Sequence, residues 1–148
     1  MVRPRLVIDS REQRPWDFGE DVETVRATLY AGDYSIEGFE TRVAIERKSL
    51  DDFVACCTRE RQRFERELVR LASYDFAAVI VEADVGDIAA HRYVSRASPS
   101  SVIGSAVAFT IDHVPVMFGG RRELAARLGL RFLQKFHERQ IRAEKAAA

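Results

Sequence analysis

Charged residues at the end of an apolar run are the first feature of this sequence that suggests chemistry. Segment 43–48 has the sequence VAIERK, in which a strand-like run leads into Glu46, Arg47 and Lys48 without a turn residue. Side chains alternate between the two faces of a strand, so Glu46 and Lys48 share one face and Arg47 points to the other. Taken alone, Glu46 is better explained as a solvated strand end.

Two further carboxylates are predicted close to that strand. Asp9 lies near the end of the apolar run 5–12, and Asp33 opens the strand that precedes VAIERK. Because residues on paired strands face each other, Asp33 and Glu46 are expected to lie side by side. Mg²⁺ prefers oxygen ligands and takes only a few of them from the protein. Three carboxylates and Lys48 together therefore predict metal-dependent phosphodiester hydrolysis, with the lysine orienting or deprotonating water or stabilising charge on the phosphate.

The elements that must position these residues alternate between strands and helices. The predicted strands are 5–12, 33–36 and 41–48 (a hairpin turning at Glu37-Gly38), 75–83 and 114–120. The predicted helices are 20–33, a short one from Ser49 to about Cys56, 58–74, 84–91, 98–112 and 121–142. The first of these helices is predicted because Val22, Val25 and Leu29 recur at helical spacing. This order predicts an α/β fold with a central mixed β-sheet flanked by helices.

Composition restricts the class of protein. The length of 148 residues predicts a single domain over 1–148, with a frayed tail at 142–148. A formal net charge of zero argues against a strongly basic nucleic-acid binder but leaves room for a local basic face. No apolar run is long enough for a membrane span, and the N-terminal segment lacks the features of a signal peptide. With the adjacent Cys56 and Cys57, this predicts a cytoplasmic protein.

The helix predicted over 58–74 carries arginines on the face opposite its apolar residues. These arginines are Arg59, Arg63, Arg66 and Arg70. They could bind the phosphate backbone of a nucleic acid. They could equally form a solvated face with intrahelical pairs to Glu60 and Glu67. The sequence favours neither interpretation.

Three motifs in order carry a family resemblance. They are Asp9-Ser10-Arg11-Glu12, Gly32-Asp33-Tyr34 and Ile45-Glu46-Arg47-Lys48-Ser49-Leu50-Asp51. With these motifs the chain resembles the nuclease domain of the XPF-type structure-specific endonucleases, a branch of the restriction-endonuclease-like PD-(D/E)xK fold. The family patterns are D-x-R-E, G-D-Y/F and V/I-E-R-K-x-x-x-D-hydrophobic, and the resemblance covers nearly the whole chain.

The resemblance implies a role for each matching residue. Asp33 and Glu46 would bind Mg²⁺ or Mn²⁺, Asp9 would add a carboxylate to the site, and Lys48 would be the catalytic lysine. Arg47 would be the family's essential basic residue, contributing a supporting salt bridge or a phosphate contact. The supporting residues would be Arg11, Glu12 and Asp51, the last of which is matched to the trailing acid.

The resemblance also implies a metal-dependent endonuclease that cuts branched or single-strand-containing DNA in repair or recombination. It further implies that the protein forms a homodimer, as family members do. Family members commonly carry a tandem helix-hairpin-helix domain, and none follows in these 148 residues. We therefore expect a separate DNA-targeting subunit. The alternative is a non-catalytic DNA-binding or scaffold subunit that pairs with an active nuclease. Such degenerate domains lose the acids and the lysine, which are all present here.

Overall fold

A mixed six-stranded sheet forms the centre of the protein, whose computed structural model describes residues 3–148. The strands are β1 (Leu6–Asp9), β2 (Thr24–Ala27), β3 (Tyr34–Ile36), β4 (Val43–Lys48), β5 (Phe76–Val81) and β6 (Val116–Phe118). Their order across the sheet is β2-β1-β3-β4-β5-β6. The β1–β3 and β3–β4 pairs are antiparallel, whereas β1–β2, β4–β5 and β5–β6 are parallel. The predicted α/β fold with a mixed sheet is confirmed.

Helices cover both faces of the sheet. They are α1 (Leu50–Cys57), α2 (Arg61–Ala72), α3 (Val85–Ala89), α4 (Pro99–Asp112) and α5 (Arg122–Ala147). One apolar core joins Ala44 and Val79 of the sheet to the buried sides of α1 to α4. A second core joins Ile45 and Ile80 to α5. Successive side chains along a strand point to opposite faces of the sheet, so β4 and β5 each contribute residues to both cores.

The charged residues at the end of β4 point alternately to the two layers of helices. Ala44 belongs to the core beneath α1 and α2, so Glu46 and Lys48 point to that layer. Ile45 belongs to the core beneath α5, and Arg47 points there. The predicted separation of Arg47 from Glu46 and Lys48 is thus present in the fold.

The helix predicted over 20–33 is wrong, because the segment forms the edge strand β2. Its residues pair in parallel with β1, from Leu6 opposite Thr24 to Asp9 opposite Ala27. Backbone bonds from Leu6 N to the Glu23 carbonyl and from Ser10 N to the Ala27 carbonyl, both 2.9 Å, extend the ladder. The outer edge of β1 would otherwise expose unpaired backbone groups, so long-range pairing overrides the local helical spacing.

The C-terminal segment also differs from its prediction. Helix α5 continues to Ala147, whereas a frayed tail was predicted at 142–148. An alanine-rich end has high helix propensity, and Arg142 pairs with Glu138 one turn earlier at 3.2 Å. Among residues 3–148, no helix is both long and apolar enough to cross a membrane.

Candidate active site

The β3–β4 hairpin sets Asp33 beside Glu46. Tyr34 pairs with Ile45 in the antiparallel ladder, and Asp33 N donates to the Ile45 carbonyl at 2.9 Å, so the next opposed positions are Asp33 and Glu46. The chain reaches this register through Gly32, whose φ of +82° is accessible mainly to glycine. The predicted juxtaposition of the two acids is therefore present in the structure.

Burial and mutual repulsion define the electrostatics of this acid pair. Glu46 is only 5% exposed. Burial raises the pKa of Glu46 well above its usual range, and the charges of Asp33 and Glu67 add to the effect. Burial also raises the pKa of Asp33, although its hydrogen bonds with Glu46 and from Arg47 N oppose the shift. Without a cation, we expect the two carboxyls to share one proton.

Lys48 completes the charged end of β4. Its Nζ lies 3.2 Å from Glu46 Oε2 and 5.4 Å from the centre of the Phe64 ring. Burial disfavours the ammonium form of Lys48, but the negative charge of Glu46 outweighs it and the pKa of Lys48 is raised. Lys48 is therefore held as a cation beside the acid pair.

Glu67 of α2 is an additional acid at this site. Its charge and a hydrogen bond to Glu46 both raise the pKa of Glu46. One of the two interpretations of the arginine face placed Glu67 in intrahelical pairs. In the structure α2 lies over the face of β4 that carries Glu46 and Lys48, with Phe64 and Leu68 buried there. The signal that could have found it is its position next to these buried residues, at the margin of the apolar face.

Asp9 lies opposite Asp33, since Ile8 pairs with Tyr34 and Asp9 N donates to the Asp33 carbonyl at 2.8 Å, and Arg11 holds its carboxylate. Arg11 Nε donates to Asp9 Oδ2 at 3.0 Å, and Arg11 Nη2 and Leu29 N donate to Oδ1 at 3.2 and 2.9 Å. Burial would raise the pKa of Asp9, but these hydrogen bonds outweigh it and the pKa is lowered. A role for Asp9 as a third metal ligand stays a prediction.

The donor set suits a hard divalent cation. Buried carboxylate oxygens are the ligands that Mg²⁺ and Mn²⁺ take, and a positive charge would relieve the repulsion between Asp33 and Glu46. Across residues 3–148, no three Asp, Glu, His or Cys side chains are gathered closely enough to hold a metal by themselves. The pair therefore fits an ion that draws most of its ligands from water and phosphate.

Arg47 lies in a separate ion cluster on the opposite face of the sheet. Its guanidinium lies 3.7 Å from Glu12 and 3.5 Å from Glu82, and its side chain is 13% exposed. Arg122, the first residue of α5, approaches Glu82 at 3.2 Å, and Trp16 Nε1 donates to the same carboxylate at 2.9 Å. The salt bridge predicted for Arg47 is present, and a contact with phosphate stays a prediction.

Glu82 was missed by the sequence analysis. It directly follows the buried strand β5, which runs parallel to β4 with Val81 opposite Lys48. An acid at the end of a buried strand is the same signal that identified Glu46, so this signal could also have identified Glu82. Glu82 links Arg47, Arg122 and Trp16, and it thereby ties the segment after β1 to the sheet.

The trailing acid of the third motif requires a correction. The pattern E-R-K-x-x-x-D places this acid at Asp52, one residue beyond Asp51. Asp52 N donates to the Ser49 hydroxyl at 3.2 Å, so Ser49 caps the N-terminus of α1. Asp51 accepts a hydrogen bond from Val94 N at 2.9 Å and so anchors the loop between α3 and α4.

The predicted arginine stripe is only partly helical. Arg59 precedes α2, Arg63 is exposed and pairs with Glu60 at 3.8 Å, and Arg66 is exposed. The Arg70 guanidinium lies 6.0 Å from the centre of the Tyr30 ring. Contact of these arginines with nucleic acid stays a prediction.

Comparison with known proteins identifies the family and the fold. The model of the ERCC4 domain matches residues 8–128. The structure is similar to XPF from Aeropyrum pernix, with 22% identity and a TM-score of 0.66 over 88% of this chain and 60% of that one. It is also similar to XPF from Aeropyrum pernix in complex with DNA, with 23% identity and a TM-score of 0.69 over 93% of this chain and 66% of that one. The chain thus spans at most about two thirds of those proteins. No curated protein matches it in sequence.

Proposed function

The chain belongs to the ERCC4 domain family, and we propose that it is a metal-dependent DNA endonuclease that hydrolyses phosphodiester bonds. The observation that carries the proposal is the Asp33–Glu46 pair, in which Glu46 is buried and Asp33 half-buried, with Lys48 Nζ 3.2 Å from Glu46. A purely structural role explains this arrangement poorly, because burying two neighbouring carboxylates is unfavourable without a cation.

Asp33 and Glu46 would hold Mg²⁺ or Mn²⁺. When bound, such an ion polarises the phosphodiester and lowers the pKa of water at the site. The hydrogen bond from Arg47 N to Asp33 Oδ2 (2.8 Å) fixes one carboxylate, and Lys48 orients the other. Both acids therefore meet the ion with little rearrangement, which favours catalysis.

Lys48 acts as a positively charged donor in this proposal. Its pKa is raised above the usual value, so the ammonium form is the resident one and a general-base role is disfavoured. A fixed ammonium group can donate a hydrogen bond to a phosphate oxygen and stabilise the charge that develops there. The ring of Phe64, 5.4 Å away, restricts the positions that this group can take.

DNA that is branched or contains single strands is the proposed substrate, in repair or recombination. One structurally similar protein is in complex with DNA, which supports a DNA substrate. We further propose a homodimer, a separate DNA-targeting subunit and a cytoplasmic location, as the resemblance and composition predicted. The second candidate is a non-catalytic scaffold subunit. The presence of the acid pair and the lysine disfavours it, because a scaffold does not need these residues.

The test is cleavage of end-labelled single-stranded, flap, fork and duplex DNA in Mg²⁺, in Mn²⁺ and in EDTA. The proposal predicts internal cuts that need the metal and that favour substrates with unpaired strands. Binding of DNA without cutting under any metal would instead support the scaffold subunit. The absence of both binding and cutting would overturn both functions.

A further inference from the structure

A large aromatic side chain is exposed beside the acid pair and takes no part in the chemistry described above. Tyr30 is 69% exposed. It lies in the loop between β2 and β3, three residues before Asp33, which places their Cα atoms within about 11 Å. Its neighbour Leu29 is buried, so the loop packs through the leucine and turns the tyrosine outward.

This loop is rigidly attached to the catalytic strands. Leu29 N donates to Asp9 at 2.9 Å, and the Leu29 carbonyl accepts from Arg11 Nη2 at 2.8 Å. At its other end, Asp33 N donates to the Ile45 carbonyl and the Asp33 carbonyl accepts from Asp9 N. Tyr30 is consequently presented on a fixed backbone, and a ligand that uses it gains from this preorganisation.

Two arginines lie at this loop, Arg70 against the exposed ring and Arg11 against the backbone of the preceding Leu29. The Arg70 guanidinium lies 6.0 Å from the ring centre, within the range of a cation–π contact. Arg11, with a side chain 67% exposed, holds the loop, where the charges of Asp33 and Glu67 act on it. Arg70 follows Glu67 by three residues of α2, a rise of about 4.5 Å. Both arginines therefore link the loop of Tyr30 to the acids of the site. Arg11 donates to the Leu29 carbonyl and is affected by the charges of Asp33 and Glu67, and Arg70 shares α2 with Glu67.

We propose that Tyr30, with Arg11 and Arg70 at the same loop, is a stacking platform for an unpaired DNA base next to the phosphate that is cut. This inference rests on the proposed function and specifies its substrate. A planar exposed ring offers a surface to any base, and the guanidinium groups can contact the adjacent phosphates. In a duplex the base faces are covered by their neighbours, so the platform selects single-stranded regions.

The test uses a flap oligonucleotide with 2-aminopurine in the unpaired strand, titrated with protein in EDTA and again in Ca²⁺. Wild-type protein is expected to quench the probe by stacking, and Tyr30→Phe is expected to behave alike because it keeps the ring. Tyr30→Ala should bind the flap about 5- to 150-fold more weakly, the range measured for loss of one base–aromatic stack, with duplex binding unchanged. Val94→Ala, which truncates an exposed side chain on another loop, is the matched control.

The outcomes separate this inference from the proposed function. Flap binding and quenching by Tyr30→Ala at wild-type strength would overturn the platform, while metal-dependent cutting by the same variant would leave the endonuclease intact. An equal loss of flap and duplex binding would also overturn it, because a stacking platform acts only on unpaired bases. If wild-type protein neither bound nor cut any DNA, both the platform and the endonuclease would be wrong.

Discussion

Asp33 Oδ2 accepts a hydrogen bond from Arg47 N at 2.8 Å, so the residue that precedes β3 is tied to the strand that carries Glu46 and Lys48. Three features thereby share one backbone unit: the acid pair, the lysine and the ion cluster around Arg47. A change that shifts this hairpin is expected to affect metal binding and stability together.

Gly32→Ala should disturb the hairpin directly. A Cβ at this position would lie 2.8 Å from Ala44 Cβ and 3.3 Å from the Ile45 carbonyl oxygen, and the φ of +82° is strained for alanine. Left-handed strain and overpacking together predict a loss of about 2–4 kcal/mol in the free energy of unfolding. Urea denaturation measures this loss. The control is Gly104→Ala on α4, where an added Cβ would have no neighbouring atom within 4 Å. This change should leave the free energy of unfolding unchanged or raise it. An equal loss for the two variants would contradict the account.

Asp33→Asn should stabilise the cation-free protein at neutral and alkaline pH. Burial raises the pKa of Asp33 in the folded protein, so the folded state binds more protons than the unfolded chain between the two pKa values. The stability of the wild type therefore falls as pH rises through that window, whereas the neutral amide avoids this loss and keeps an acceptor for Arg47 N. A gain of about 1 kcal/mol corresponds to a rise of about 2–4 °C in Tm.

Thermal unfolding in EDTA and in Mg²⁺ checks this prediction. The difference in Tm between wild type and Asp33→Asn should shrink as pH falls towards about 4, where unfolded carboxyls become protonated. Mg²⁺ should raise the Tm of the wild type and leave that of the variant unchanged. A variant that is less stable than the wild type at pH 8 in EDTA would show that the acid pair is not strained.

Lys48→Gln should slow cleavage without removing the metal. The change deletes the ammonium group that lies 3.2 Å from Glu46, and loss of one charged donor to a transition state reduces turnover by about 100- to 1,000-fold. Single-turnover cleavage gives the rate, and calorimetric titration with Mn²⁺ gives the affinity, which should change little. Lys135→Gln, which removes an exposed partner of Glu138, is the matched control. Cleavage by Lys48→Gln at the control's rate would exclude a catalytic role for this lysine.

Arg47→Ala should destabilise the fold from the opposite face of the sheet. Its loss leaves the mostly buried Glu12 and Glu82 without this partner, and breaking a buried ion pair from one side costs about 3–5 kcal/mol. Trp16, the single tryptophan of the chain, contacts Glu82 and should report the change through its fluorescence. Arg142→Ala, which breaks an exposed pair, should cost less than about 1 kcal/mol. Similar unfolding free energies for the two variants would mean that the cluster contributes little.

Local sequence rules were sufficient to predict the arrangement of strand β4. Alternation along 43–48 placed Glu46 and Lys48 on one face and Arg47 on the other, and the hairpin turn set Asp33 opposite Glu46. These relationships depend on residues close in sequence, where strand geometry leaves few alternatives.

The same rules were insufficient where a partner lies far away or where two partners compete. The segment that forms β2 has apolar residues at helical spacing, and only the open edge of β1 decides that it is a strand. Asp9 lies where a metal ligand was predicted, but the spacing of residues does not show that the Arg11 side chain folds back and hydrogen-bonds the Asp9 carboxylate. Glu67 and Glu82 gained their roles from packing between elements, which the pattern of either element alone does not encode.

The central claim is that Asp33 and Glu46 hold the cation that drives cleavage. The most direct test is to titrate wild type and Asp33→Asn with Mn²⁺, following binding by electron paramagnetic resonance and cleavage of a labelled flap in the same samples. The account predicts that the wild type binds Mn²⁺ and that cleavage follows its occupancy, whereas the folded variant shows neither. Cleavage by Asp33→Asn at the wild-type rate in saturating Mn²⁺ would contradict it.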